Sequence, residues 1–336
     1  MADWHPFISK ERRDEICNEY IMYRADRDDD LEELITLHPT ELSLLYQNAI
    51  YAKENFIDNG NFDNRIALFY KAAVEKIKKS DMIYVLYCKI TNMPLIDCHY
   101  NIWVFTYEEC TKKAAQEYLG NIWDNTKDEI EFRKFTGDEV IEFFAKCYIN
   151  GMVKIALNEG GIIISLADIV APPDFSDVPS VSRPVMNPDL KFYLILFCQI
   201  CNTSHPIPEI NKLKNQMYNA YMDCLLTAKL LRPAKISSET ISSENGVEKI
   251  LPTDMILISK KIKDKEAWPA YTDWEAFPQE LQDEGYSGII EPLEGVLEHA
   301  KSHGFYVVIN PNRNGILLYE DEITELLKVI KTPPKN

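Results

Sequence analysis

Phe305 to Ile309 is an unbroken run of aromatic and β-branched residues, the composition of a pleated, largely buried strand. Asn310-Pro311 ends it, because proline has no amide to give to a ladder. Asn314-Gly315 tolerates the positive φ of a tight reversal, and Ile316 to Tyr319 returns as a second strand. Ile323, Leu326, Leu327 and Ile330 then recur at i, i+3, i+4 and i+7, one apolar stripe of a helix that Pro333 and Pro334 stop. A degraded copy stands earlier: Val153 to Leu157, a turn at Asn158 to Gly161, and Ile162 to Ser165. A chain that carries this strand, turn and strand twice is expected to use one small α/β unit twice.

The surrounding residues recur in the same order. Ile66, Phe69, Tyr70, Ala73, Val74 and Ile77 form a helical stripe, matched later by Tyr221, Cys224, Leu225 and Ala228. Ser80 to Cys88 reads as a strand, and Thr253-Asp254-Met255-Ile256 matches its opening Ser80-Asp81-Met82-Ile83. Tyr100 to Phe105 pairs in type with Trp268 to Tyr271. Thr106, Thr136 and Thr272 each precede a glutamate by three residues (Glu109, Glu139, Glu275), the spacing of a capping box. Each threonine is expected to cap a helix, so that its loss costs about 1 kcal/mol. Ile141, Phe144 and Tyr148 mark the helix after Thr136, and Leu293, Val296, Leu297 and Ala300 its later counterpart, stopped by Gly304.

The fold class expected is α+β: two tandem copies of a small mixed-sheet unit covered by helices, with an N-terminal helical extension. The boundaries are 1–60 for the extension, 61–170 for the first unit, 171–208 for a Pro-rich linker with a buried connecting helix, and 209–333 for the second unit. In the extension, Ser9 caps a helix through Ile16, Tyr20 and Tyr23, and His38-Pro39-Thr40 starts another. The connecting helix, Leu190 to Cys201, is apolar nearly all round and opens at Asn187-Pro188 as N-cap and N1. Residues 235–249, rich in Ser, Glu, Thr and Asn, read as a mobile loop.

Charge narrows the partners. Lys and Arg number 36 against 53 Asp and Glu, a net charge of -17. That opposes nucleic acid, whose binding needs phosphate neutralisation, and favours a basic protein partner. No run of about 18 apolar residues suggests a membrane span, and Met1 to Pro6 lacks the features of a signal peptide. Eight cysteines without a framework suit a reducing, cytoplasmic compartment.

An aromatic-threonine strand end opening a capped helix, followed by a hydrophobic strand ending Ile-Asn-Pro and a return through Gly-Ile-Leu-Leu, resembles the SseB-like N-terminal domain family. The residues that carry the resemblance are Pro269-Ala270-Tyr271-Thr272-Asp273-Trp274-Glu275 and Val308-Ile309-Asn310-Pro311. It covers about 210–331 well and 62–170 more weakly, where Leu157-Asn158-Glu159 lacks the proline; 1–60 lies outside it. The resemblance implies an α/β unit without a recognised active site, its motif residues being structural.

No stretch carries a catalytic signature. Cys198, Cys201 and His205 have partial zinc spacing, but a fourth ligand is missing and core cysteines are the expected reading. His299 and His303 fall at i, i+4 on a helix without the Glu of a metalloprotease motif. Asp26, Asp28 and Asp30 fail as a calcium loop, since Leu31 and Leu37 stand where glycine and glutamate are needed. Cys98-His99 are neighbours in sequence, which rarely face each other in a strand. No cofactor and no metal are expected. Two readings follow: a non-catalytic interaction protein (adaptor, chaperone-like or immunity-type), or a hydrolase-type enzyme with a dispersed site in a cleft between the units. The first places the binding face where the copies differ, at Asp273, Trp274, Arg313 and Asn314, with Trp274 as anchor. The competing reading of Trp274 is that it packs on its own sheet.

Overall fold

The computed structural model describes residues 8–23, 31–55, 62–108, 130–158, 161–177, 183–202, 210–236, 242–244, 247–249, 255–262, 264–311 and 315–332. The fold is α+β, with helices set against mixed sheets. The chain forms two compact units, chiefly Met1–Pro173 on the one hand and Asp174–Cys201 with Ile207–Asn336 on the other. None of the described helices is long and apolar enough to cross a membrane.

The first unit begins with helices α1 (Lys10–Cys17), α2 (Leu31–Thr36), α3 (Pro39–Asn55) and α4 (Phe62–Lys78). Ser9 caps α1 as expected, its hydroxyl accepting from the Arg12 amide at 3.2 Å. The N-terminal helices are part of this unit rather than an appendage, because α2 and α3 both pack on α4. The α4 stripe Phe69, Ala73, Val74 and Ile77 is buried, as its period requires.

The sheet comprises β1 (Met82–Cys88), β2 (Met93–Pro94), β3 (Ile102–Phe105), β4 (Ile130–Thr136), β5 (Lys154–Leu157) and β6 (Ile162–Ser165). β1 lies antiparallel to β2, β3 and β4; β3 runs parallel to β5, and β5 antiparallel to β6. Helix α5 (Asp138–Ile149) crosses from β4 to β5, and the short α6 (Leu166–Ile169) follows β6. α5 buries Val140, Phe143, Phe144 and Cys147, so Ile141, read from sequence as part of the inner stripe, faces solvent instead. The β5–β6 turn docks tightly on α3: Gln47 Nε2 donates to the Gly161 carbonyl at 2.5 Å. A β-carbon at Gly161 would lie 2.6 Å from Ser43 Cβ, so only glycine fits there.

The second unit contains α7 (Pro188–Cys201), α8 (Ile210–Leu226), β7 (Lys229–Ile236), β8 (Ser242–Glu244), β9 (Val247–Lys249), β10 (Met255–Leu257), β11 (Lys260–Ile262) and β12 (Lys265–Ala270). It continues with α9 (Gln279–Asp283), β13 (Ser287–Pro292), α10 (Leu293–His303), β14 (Tyr306–Ile309), β15 (Ile316–Leu318) and α11 (Glu320–Lys331). β7 is antiparallel to β10 and β13, and the Leu231–Tyr271 bridge links it to the end of β12. β12 is parallel to β14, and β14 antiparallel to β15. The core is one cluster in which Leu190 and Leu194 of α7, Tyr221 and Leu225 of α8, the α10 stripe and Ile323 of α11 close over Val307 and Ile309.

Two expectations need correction. Met255 to Ile258, matched in sequence to the opening of β1, does not take a comparable place in its sheet; it is β7 that, like β1, follows an amphipathic helix and takes an antiparallel neighbour on each side. The Met255 segment pairs at the end of β7 as β2 does at the end of β1. Residues 235–249 are not wholly a loop, since β7 runs to Ile236 and β8 pairs with β9 as a hairpin.

His38 gives the first unit a pH dependence. Its Nδ1 accepts from the Thr40 amide at 3.1 Å and Glu41 Oε2 accepts from its own amide at 2.9 Å, a capping box with imidazole as the cap. The ring stacks on Tyr107 with centroids 4.0 Å apart. Burial draws the His38 pKa down from 6.5 to about 4, with Glu41 opposing and Lys76 assisting. Between those values the unfolded chain holds more protons than the folded one, so this contribution is complete above pH 6.5 and is lost as pH falls to about 4. After solvent screening of a half-exposed ring, the loss is on the order of 1 kcal/mol. His38→Asn keeps a capping acceptor without a titrating ring. It is expected to flatten the pH slope of urea midpoints over that window, and an unchanged slope would exclude His38 as the source.

Candidate binding surface

Two of the four residues singled out from sequence, Asp273 and Trp274, lie in the segment after β12. Tyr271 exchanges main-chain hydrogen bonds with Leu231 at 2.8 and 2.9 Å. Next comes a clasp: the Thr272 amide donates to Asn310 Oδ1 at 3.0 Å, and Asn310 Nδ2 donates to the Thr272 hydroxyl at 3.0 Å. Thr106 and Asn158 make the same pair of bonds in the first unit, at 3.0 and 3.1 Å. Both asparagines take positive φ, 50° at Asn310 and 41° at Asn158, a region asparagine tolerates better than most residues.

Thr272 and Thr136 are therefore not the helix caps expected. Asp273 caps the turn that follows Thr272: its Oδ1 accepts from the amides of Glu275 and Ala276 at 2.9 and 3.0 Å. Phe277 N–H then closes on the Asp273 carbonyl at 3.2 Å, a single turn that does not continue as a helix. Thr136 ends β4, and its hydroxyl and amide both donate to Glu139 at 3.2 and 3.0 Å, which is half of a capping box. Glu109 and the helix expected after Thr106 lie outside the described residues.

Asp273, expected on the binding face, is 5% exposed. Its Oδ2 accepts from the Thr272 hydroxyl at 2.7 Å and stands 3.2 Å from Lys191 Nζ of α7, so its charge is used internally. Asn187, expected as an N-cap, ties the linker to the same place. Its Nδ2 donates to the carbonyls of Lys229 and Thr272 at 2.8 and 2.6 Å. Arg313 and Asn314 lie outside the described residues.

Trp274 follows on the outside, 42% exposed. One side of its indole lies against Phe277, with centroids 5.4 Å apart, and against Gly288 of β13. A β-carbon at Gly288 would come within 2.7 Å of Trp274 Cη2, so a bare backbone makes room for the ring. Trp274 packs on its own sheet and also presents an open face. Beneath it Leu231, Tyr271, Ala276, Phe277 and Val185 form a small separate core.

β13 has no strand beyond it among the described residues. Leu231 points its amide and carbonyl at Tyr271, so Ile290, opposite Leu231 across the ladder, occupies a non-hydrogen-bonded position. Ile290 and, two residues back, Gly288 therefore turn their main-chain donors and acceptors outward. The Ile290 side chain is 42% exposed, on the same strand face as Gly288 and Trp274.

The opposite face of β13 is held by ionic contacts that the sequence reading missed. Arg232 of β7, 3% exposed, donates from Nη1 to Glu291 Oε2 at 2.7 Å and contacts His299 Nδ1 at 3.0 Å. Its guanidinium stacks on Trp268 at 4.3 Å. Arg232 can only donate, so His299 Nδ1 accepts at that contact. His303 Nδ1 sits 2.9 Å from the His299 carbonyl, and its ring lies 5.0 Å from that of Trp268. His299 thus meets an arginine cation, while His303 Nδ1 is turned to its own helix. The one signal in the sequence was Gly295: a β-carbon there would lie 2.6 Å from Glu291 Oε1.

No group of three or more His, Cys, Asp or Glu among the described residues is placed to hold a metal ion. Cys198 packs against the second core and Cys201 is exposed; His205 lies outside the described residues. Cys98 is an exposed residue of the turn before β3. Burial raises the thiols of Cys17, Cys147, Cys201 and Cys224, the direction opposite to nucleophile activation. No protein-family model, curated protein or solved structure matches the chain.

Proposed function

We propose that the chain is a non-catalytic protein-interaction module, one SseB-like unit used twice, which binds a basic protein through the Trp274 surface of its second unit. The observation that carries this is the half-exposed indole of Trp274, fixed in place beside the free edge of β13. A rigid aromatic ring that is already ordered loses little entropy on binding, and tryptophan is enriched among residues that dominate interfaces. Exposed carboxylates follow it in the chain at Glu275, which lies 3.6 Å from Lys191 Nζ, and at Glu280, Asp283 and Glu284, and the chain carries a net charge of -17. That field attracts a basic surface and hastens its association. The shared Thr–Asn clasp, and the shared order of parallel and antiparallel neighbours in the two sheets, support one fold used twice.

The test is quantitative capture of partners from the source cell by immobilised chain, comparing wild type with Trp274→Ala. A loss of at least tenfold in capture is expected, corresponding to ~1.4 kcal/mol or more. Capture should also fall as salt rises. The circular-dichroism spectrum of the variant serves as the check on folding. Capture that is equal in both proteins and indifferent to salt would exclude the proposal.

A further inference from the structure

The free edge of β13 specifies how a partner would bind, an inference that rests on the reading of Trp274 as a binding residue. We infer that the second unit accepts an extended, basic segment of a partner as an added strand along Ser287–Glu291. Gly288 and Ile290 direct amide and carbonyl groups outward, and no described residue satisfies them. Unpaired strand edges are templates for another strand, and proteins that do not use them usually block them. Among the described residues the block on this edge is Pro292 at the far end, and the stretch before it is open. The side chains that an incoming strand would meet are apolar and partly exposed: Trp274 over Gly288, and Ile290.

Charge decides the occupant. Helix α9 leads directly into this strand and carries Glu280 and Asp283 exposed, with Glu284 in the turn between them. Lys235, on the neighbouring strand, lies over the Tyr286 ring at 4.5 Å. A second copy of the chain would offer the edge strand Ser-Gly-Ile-Ile-Glu, which carries no cation to set beside these carboxylates. A strand alternating basic and apolar residues would set its cations beside these acids and an apolar side chain against Trp274.

The probe is a fluorescent six-residue peptide alternating lysine and valine, titrated into the full chain. A second peptide of the same sequence is N-methylated at alternate amides and so lacks the main-chain donors of one edge. Ile290→Pro removes an outward amide that the fold itself does not use, whereas Ile290→Thr keeps it. Saturable binding of the first peptide is expected, weakened at least tenfold by N-methylation and by Ile290→Pro. Ile290→Thr should weaken it less, and hydrogen exchange at Gly288 and Ile290 should slow on binding. Failure of the unmodified peptide to bind, or equal binding of the methylated peptide or of the Ile290→Pro variant, overturns strand addition. A self-associated dimer broken by Ile290→Pro would overturn the basic partner in favour of a second copy. If Trp274→Ala still abolishes partner capture after any of these outcomes, the protein-binding proposal stands and only the mode of binding is wrong.

Discussion

Replacing Arg232 by methionine is expected to cost the second unit about 3–5 kcal/mol, the range for removing one partner of a buried ion pair. The loss has identifiable parts. Arg232 joins three elements, since it lies on β7, bonds Glu291 on β13 and meets His299 on α10. Without it, Glu291 stays largely buried, 17% exposed at the side chain, and loses the cation paired with its carboxylate. The stacking on Trp268 disappears as well. Methionine refills much of the volume, so the loss reports the charge more than a cavity. A second substitution, Glu291→Gln, should recover part of the loss by removing the stranded charge; the two changes in one protein should cost less than their sum. Urea titrations of the four proteins measure this. Strict additivity would show that the pair is not coupled, and a loss under ~1 kcal/mol would show that water reaches it freely. Because the same residues hold β13, Arg232→Met should also weaken partner capture through the edge.

The part of the fold that was legible in sequence is the part set by periodic burial. The stripes through Phe69 and Ile77 and through Leu293, Val296, Leu297 and Ala300 lie in the cores as their spacing requires. The hairpin strands at 154–157, 162–165, 306–309 and 316–318 also form where aromatic and β-branched runs suggested them. Pairing was not legible. Pro233 stands in the β7 ladder opposite Gly288, where a main-chain amide would point away from β13. The Thr272 cap was misread because the competing partner is remote: Asn310 lies 38 residues away. A local pattern gives no view of a tertiary acceptor that can outbid the local amide. The surface site shows the same division. Trp274 could be singled out by residue type, but the open edge beside it depends on which strand lies last in the sheet.

Asn310→Ala is expected to destabilise the second unit by about 3 kcal/mol, well beyond the cost of a lost cap. Two terms add. Alanine at a φ of 50° meets the steric penalty of the left-handed region, about 1 kcal/mol or more. The buried Thr272 amide then loses its acceptor, and an unsatisfied buried donor costs about 1–3 kcal/mol. Asn310→Gly separates the terms, because glycine accepts the backbone angle but not the amide; its loss should be smaller, about 2 kcal/mol. Thr272→Ser keeps the hydroxyl that receives the Asn310 side chain and should lie closest to wild type, whereas Thr272→Val strands Asn310 Nδ2 in a site where Thr272 is fully buried. Asn158→Ala and Asn158→Gly should reproduce the order in the first unit, where the clasp has the same donors and acceptors and φ is 41°. The order is what discriminates. If Asn310→Gly matches wild type in denaturant, the hydrogen bonds contribute nothing and asparagine is present for its backbone angle alone. If Asn310→Ala and Asn310→Gly are equally destabilised, the angle is free and the clasp is held entirely by its hydrogen bonds. The clasp joins the end of β12 to the end of β14 at the residue before Asp273, so its loss should also release the turn that carries Trp274. Partner capture is then expected to fall with stability in the Asn310 series and to stay near wild type in the Asn158 series.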